Sequence, residues 1–243
     1  MTIAENIERV RDSIAAACAR AGRSVDEVTL IAVSKTHPPE AVLEAVEAGV
    51  QHFGENRVEE SAEKIPAVNA RLTAPVTWHL IGHLQSRKAK DVPPLFGVVH
   101  SVDTVKLAGK LSRLMVETGG TLDILLEMNV SGEASKEGFS AFNWMNDPAM
   151  RDRVCTEVAE IAALPGLRIR GLMTMAPIVE QMEQARPVFA SLRGLRDTLT
   201  GTLGLALPDL SMGMTDDFPA AIEEGATMVR VGRAIFGERK VRM

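Results

Sequence analysis

Short apolar runs alternate with longer amphipathic segments along most of the chain. The apolar runs fall at residues 28–34, 50–54, 76–81, 97–102, 122–130, 167–175, 208–212 and 227–231. Runs this short, each followed by a new pattern, read as buried strands. Helical patterns follow most of them, at 39–48, 56–71, 84–91, 104–117, 148–163, 180–200 and 217–224. A further helix is expected ahead of the first strand, over residues 2–21, because Ile3, Ile7, Val10, Ile14 and Ala17 recur at spacings of three and four. Strands alternating with helices imply right-handed βαβ units and a parallel sheet. Eight such units predict an α/β fold: a single (β/α)8 TIM barrel over residues 1–243 with an extra N-terminal helix. An open doubly wound sheet suits eight strands and an extra helix less well.

The punctuation agrees with this division. Gly22 stands where the first helix should stop. Pro39 fits the first turn of the next helix, where its missing N–H costs little, and Gly49 ends that helix. Asp216 or Asp217 as cap, Pro219 in the first turn and Gly225 as stop frame the last full helix. The least regular stretch, residues 131–145, reads as a mobile flap or a plain surface excursion.

Composition narrows the partners. The formal net charge is −5, and the nearest basic run, Arg87-Lys88-Ala89-Lys90, is short and reads as a solvated helix face. No nucleic-acid partner is expected from this. No apolar run approaches the ~18 residues of a membrane span. The first residues carry acids and no apolar core, unlike a signal peptide. Cys18 and Cys155 are far apart and form no CxxC, which suits buried thiols in a reducing compartment. A soluble cytoplasmic protein is expected.

Barrel proteins build their sites at the C-terminal strand ends. Reading those ends in order gives Lys35; Gly54, Glu55 and Asn56; His79 and Gly82; His100 and Ser101; Asn129; Met173; Ser211 and Gly213; and Arg230 and Gly232. Lys35 closes a buried apolar run. Burial there disfavours the ammonium and makes a nucleophilic amine available, as a Schiff-base lysine requires; the alternative is a lysine that snorkels to water. In the last strand, alternation puts Met228, Arg230 and Gly232 on one face and Val229 and Val231 on the other. Glycine admits an anion close to the backbone, and the N–H groups of the turn that follows point toward it. Ser211 could donate its hydroxyl to the same phosphate. The alternative for Arg230 is a salt bridge to a strand-end acid. An amine, a phosphate cradle and an arginine on one rim suggest pyridoxal 5′-phosphate (PLP). Lys35 would hold its aldehyde, the backbone at Gly232 and Arg233 its phosphate, and Arg230 its pyridine nitrogen. An arginine keeps that nitrogen unprotonated, which makes the ring a weaker electron sink.

These residues lie in blocks that resemble the pyridoxal phosphate homeostasis protein family, single-domain relatives of the barrel half of alanine racemase. The blocks are Ala32-Val33-Ser34-Lys35, Phe53-Gly54-Glu55-Asn56-Arg57, Trp78-His79-Leu80-Ile81-Gly82 with Leu84-Gln85, Ser101-Val102-Asp103, Gly171-Leu172-Met173, Leu210-Ser211-Met212-Gly213-Met214 with Asp216-Asp217, and Val229-Arg230-Val231-Gly232 with Ile235-Phe236-Gly237. The resemblance implies PLP bound covalently at Lys35, with Ser211, Gly232 and the residue 233 backbone at the phosphate and Arg230 at the ring nitrogen. It places Asn56, His79 and Met173 along the pocket. It implies a carrier or homeostasis role without robust catalysis, with PLP-dependent apo-enzymes as recipients. The chain departs from the family at His83, where proline is common, at Arg87, where asparagine is common, and at Arg233, where a small hydroxyl residue often adds a phosphate contact. At 233 the backbone N–H alone could serve, or the arginine itself could pair with the phosphate.

Three other readings compete. A PLP-dependent racemase working by two bases needs an acid/base group on each face of the substrate; alanine racemase uses a tyrosine from another domain, and this chain contains no tyrosine. His79 is then the best remaining candidate. A metal enzyme would draw on His52, His79, His83 and His100, but no HExxH or CxxC accompanies them, so no metal is expected. A binding module without covalent chemistry would use Lys35 only to pair with phosphate. A monomer is expected.

Overall fold

The computed structural model of this chain describes residues 1–238. Its strands are β1 (Thr29–Val33), β2 (His52–Glu55), β3 (Thr77–Leu80), β4 (Val98–Val102), β5 (Leu122–Asn129), β6 (Phe139–Ser140), β7 (Leu167–Met173), β8 (Asp209–Ser211) and β9 (Met228–Val231). All but β6 form a closed parallel ring: β4-β3-β2-β1-β9-β8-β7-β5, with β5 pairing back onto β4. The helices are α1 (Ile3–Ala21), α2 (Pro39–Glu47), α3 (Val58–Asn69), α4 (Val105–Thr118), α5 (Pro148–Ala162), α6 (Arg186–Leu203), α7 (Phe218–Glu223) and α8 (Arg233–Phe236). The expected (β/α)8 barrel with its preceding helix is present. Among the described residues no helix is long and apolar enough to cross a membrane.

Two layers of packing hold the ring. Outward residues Ala32, Phe53, Leu80, Val99, Leu172, Leu210, Val229 and Val231 join the helices in one core, all of them fully buried. Each methylene removed from water there contributes about 0.8 kcal/mol. Helix α1 packs on α2, α7 and α8 through its buried stripe Ile7, Val10, Ile14, Ala17 and Cys18. Thr2 and Glu5 cap it reciprocally, and Gly22 ends it at φ 65°. The inner face is different. The register pairs Ile31 with Arg230, Val33 with Gly54, Gly54 with His79, Glu127 with Met173, and Met173 with Ser211. Paired residues share a face, so the interior carries charged and imidazole groups beside aliphatic ones.

Three boundaries differ from the sequence reading. The helix expected at 84–91 is a single 3-10 stretch, Ser86–Asp91, because Pro93 and Pro94 forbid its extension. The helix expected from 180 starts at Arg186, after a separate 3-10 turn at Met182–Ala185, and continues to Leu203. Residues 131–145 are anchored rather than loose. Phe139 and Ser140 pair with the end of β5, the Asn129 side chain donates to the Glu133 and Lys136 carbonyls, and the Trp144 indole donates to Ser191 Oγ at 3.1 Å. Cys18 is buried, Cys155 is only half-buried, and both are free thiols.

Candidate functional site

Lys35 stands two residues beyond the last residue of β1 and is half-buried at the C-terminal end of the barrel. The residue before it is held from three sides. Ser34 N–H donates to the Gly54 carbonyl at 3.1 Å, and Ser34 Oγ donates to Glu55 Oε1 at 2.7 Å. The Lys64 ammonium, reaching in from α3, donates to the Ser34 carbonyl and to Glu55 Oε1, both at 2.9 Å. Glu55 is fully buried and Lys64 nearly so, so this ion pair is desolvated. The residue after Lys35 is Thr36, a β-branched residue at φ 67°. Such a conformation stores strain and persists only where its surroundings over-determine it. Together these contacts fix the backbone from which Lys35 extends.

Arg230 lies in the barrel interior and is fully desolvated, which lowers its pKa to about 10 against the opposing pull of Glu127 and Asp217; it stays charged at neutral pH. Its guanidinium donates to the Ser211 carbonyl at 2.7 Å, Ser211 Oγ at 2.6 Å and the Thr174 carbonyl at 2.8 Å. Two of its five N–H donors are left for a ligand. The Ser211 hydroxyl, offered to the phosphate by the sequence, is already engaged in this structure. Its Oγ is buried between Arg230 and His100, 2.8 Å from His100 Nδ1. His100 Nε2 is 2.8 Å from His79 Nδ1, and His79 Nε2 is 3.0 Å from His52 Nδ1. Burial holds His79 neutral, its pKa lowered to about 3, and pushes His100 down in the same direction. His79 thus sits in the interior with both ring nitrogens engaged.

The remaining expected residues lie around this end of the barrel. Asn56 follows β2, and its Oδ1 is buried without any hydrogen-bond partner, an unusual and costly state for a polar atom. Met173 is fully buried on the inner face, opposite Ser211 and Glu127. Gly232 precedes α8, and a Cβ there would come 3.3 Å from the Val33 carbonyl, so glycine lets β9 and β1 close at this point. The Arg233 side chain turns outward to a two-pronged pair with Asp216 and does not point into the cradle. His83 pairs with Asp103 at 3.2 Å, so the four histidines weighed as metal ligands divide into one interior chain and one surface pair. His83, Asp103 and Glu137 gather closely enough for a cation, but His83 and Glu137 are exposed.

Glu127 was not singled out from the sequence. It is 4 % exposed on the inner face of β5, and burial raises its pKa to about 7, with Arg230 pulling the other way. A carboxyl whose folded pKa exceeds its ordinary 4.5 stabilises the fold below that value and loses the contribution as pH rises through 7. Stability should therefore fall between about pH 4.5 and 7, by on the order of 2–3 kcal/mol from this group. Urea unfolding of Glu127→Gln across that range is expected to lack this part of the slope. A profile parallel to that of the unmodified protein would assign the slope elsewhere.

Comparisons with known proteins agree with the geometry. Residues 6–240 match the family described as alanine racemase, N-terminal domain. The pyridoxal phosphate homeostasis protein of Aquifex aeolicus is 40% identical over 241 residues, 99% of this chain and 100% of that protein. The Escherichia coli K12 protein of the same name is 42% identical over 241 residues, covering 98% and 97%. The structure of PipY from Synechococcus elongatus with PLP bound superposes with a TM-score of 0.80 at 36% identity, over 97% of this chain and 100% of that one. Full-length identity at this level, on a closed barrel with lysine at the end of β1 and arginine in β9, places the chain in the pyridoxal phosphate homeostasis protein family.

Proposed function

We propose that this protein binds PLP at the C-terminal end of its barrel and holds it as a Schiff base on Lys35, as an intracellular carrier that buffers the cofactor. The observation that carries this reading is the pairing of β1 with β9. Ile31 stands opposite Arg230, so the lysine that follows β1 and the buried guanidinium belong to adjacent strands. The residues present fit the group. Asn56 Oδ1 is a buried acceptor lacking a partner, Arg230 keeps two N–H donors, and the backbone at Gly232 and Arg233 opens a helical turn whose N–H groups have no intrahelical acceptor. When bound, PLP supplies an electrophilic aldehyde, and the amine of Lys35 is the nucleophile placed for it.

The roles follow from position. Arg230 meets the pyridine nitrogen, Gly232 and the 233 backbone meet the phosphate, and Asn56 and Met173 line the pocket. Ser211 meets the phosphate only if its hydroxyl proton turns away from His100, since Arg230 already donates to that oxygen. His79 supports the pocket from beneath through His100. The racemase reading is disfavoured at this residue: both ring nitrogens are bonded to other imidazoles and its pKa is lowered to about 3, so it has no free nitrogen with which to exchange a proton with a substrate. The recipients are PLP-dependent apo-enzymes, and the carrier acts as a cytoplasmic monomer.

Borohydride treatment of the purified protein after incubation with PLP, followed by peptide mass spectrometry, tests the reading. The expected result is a reduced pyridoxyl-phosphate adduct on Lys35. An adduct spread over surface lysines and absent from Lys35 would sink it.

A further inference from the structure

Beyond the support His79 gives the pocket, the interior histidines form an unbroken chain. It runs from His52 on β2 through His79 on β3 and His100 on β4, then crosses the barrel to Ser211 on β8 and Arg230 on β9. His79, His100 and Ser211 are buried, and His52 is half-buried at the opposite end of the barrel from Lys35. There His52 borders a cavity of about 600 Å³ beside the starts of β1 and β2, lined also by Arg11, Asp12, Asp26 and Gln51. The chain thus runs from that cavity to the buried guanidinium of Arg230.

Its direction is set from one end. An arginine donates and never accepts. With Arg230 donating to Ser211 Oγ, His100 Nδ1 is the one acceptor among the described residues that the hydroxyl proton reaches. His100 must then carry its proton on Nε2 and donate to His79 Nδ1; His79 in turn donates from Nε2 to His52 Nδ1. His52 is left with Nε2–H. Three tautomers follow from one guanidinium.

A phosphate ester has oxygens that accept. A hydroxyl that turns its proton toward such an oxygen must itself accept from His100, and every tautomer in the chain then reverses. We propose that His52, His79, His100 and Ser211 are a directional relay by which occupancy of the cofactor pocket is reported to the cavity at the N-terminal end of the barrel. The inference rests on the proposed PLP site. The step balances. Ser211 passes its proton to His100 Nδ1, His100 passes one from Nε2 to His79 Nδ1, His79 one from Nε2 to His52 Nδ1, and His52 releases one from Nε2 to water in the cavity. Ser211 regains a proton from water or from the acid form of the phosphate ester. The relay keeps its net charge. Two sites joined in this way are energetically coupled, so a substitution that removes the His52 acceptor is expected to change the affinity for PLP.

The test is the tautomer state of the three rings, read by long-range nitrogen–proton NMR on nitrogen-15-labelled protein. Without cofactor, His79 and His100 are expected as Nε2–H; with PLP added, both are expected as Nδ1–H. Ser211→Ala should leave His79 in mixed tautomers. His52→Phe, which removes the acceptor, should change the PLP dissociation constant about fivefold. His52→Asn, whose Oδ1 can take the place of Nδ1, should restore the unmodified affinity. Failure of the relay and failure of the site separate cleanly. If the Lys35 adduct forms while the tautomers stay fixed, the relay is wrong and the site stands. If no adduct forms, the site is wrong, and the ligand-free tautomers alone judge the relay: Nδ1–H on His79 and His100, or no response of His79 to Ser211→Ala, overturns it.

Discussion

Lys35→Ala is expected to abolish borohydride-trappable PLP and to weaken retention of the cofactor on the order of a hundredfold, equivalent to about 2.7 kcal/mol. Arg230, Gly232, Asn56 and Met173 are untouched by the substitution, and Lys35 is only half-buried after the end of its strand, so the barrel should fold. The lost part includes the covalent link. Lys35→Arg sharpens the result. It keeps a cation that can pair with a phosphate but has no amine able to condense with an aldehyde. A noncovalent phosphate site would tolerate it, whereas the covalent site should lose the characteristic absorbance of the bound cofactor with either variant. Equal retention by the unmodified protein and Lys35→Arg in equilibrium dialysis would favour the noncovalent module.

Much of this site could be read along the chain because its residues sit where local rules are strong. Lys35 interrupts an apolar run, and Arg230 and Gly232 alternate with valines on a strand, so each announces its face without knowledge of the fold. The barrel followed from the count of alternating segments. What could not be read depends on closure. His100 and Ser211 are separated by 111 residues and by the width of the barrel, and only the ring brings them to 2.8 Å. Nothing local reveals that the Ser211 hydroxyl, a candidate for the phosphate, already meets a buried arginine and an imidazole. Arg233 was open between cradle and surface, and its pairing with Asp216 depends on how the loop after β8 folds back. Glu127 lies in a strand, Leu122–Asn129, that reads as simply apolar; its surroundings come from four other strands and loops. The helix expected at 84–91 failed on its far side, where Pro93 and Pro94 cut off the turns it needed.

Lys64 is the residue the pattern hides most completely, and its removal should have the largest effect on stability. On α3 it is flanked by Glu63 and Ile65, a context that reads as the edge of a solvated face. In the fold it is 9 % exposed, and its ammonium is the cation for a fully buried carboxylate. Breaking such a pair from one side strands a charge in a poor solvent, at a cost of about 3–5 kcal/mol. Glu55 makes the cost acute, because Oε2 already lacks a hydrogen-bond partner and Oε1 would keep only the Ser34 hydroxyl. Lys64→Met is therefore expected to lower the urea midpoint sharply. Lys64→Met combined with Glu55→Gln should recover much of the loss, since a neutral amide still accepts from Ser34 and no charge is left behind. The two stability results alone would describe a buried ion pair and nothing more. The link to function is the Ser34 carbonyl, which Lys64 also holds, one residue from Lys35. If the pair exists to fix that backbone, the double variant should be stable yet trap less PLP on Lys35 than the unmodified protein. If it traps as much, Lys64 and Glu55 stabilise the barrel without positioning the lysine.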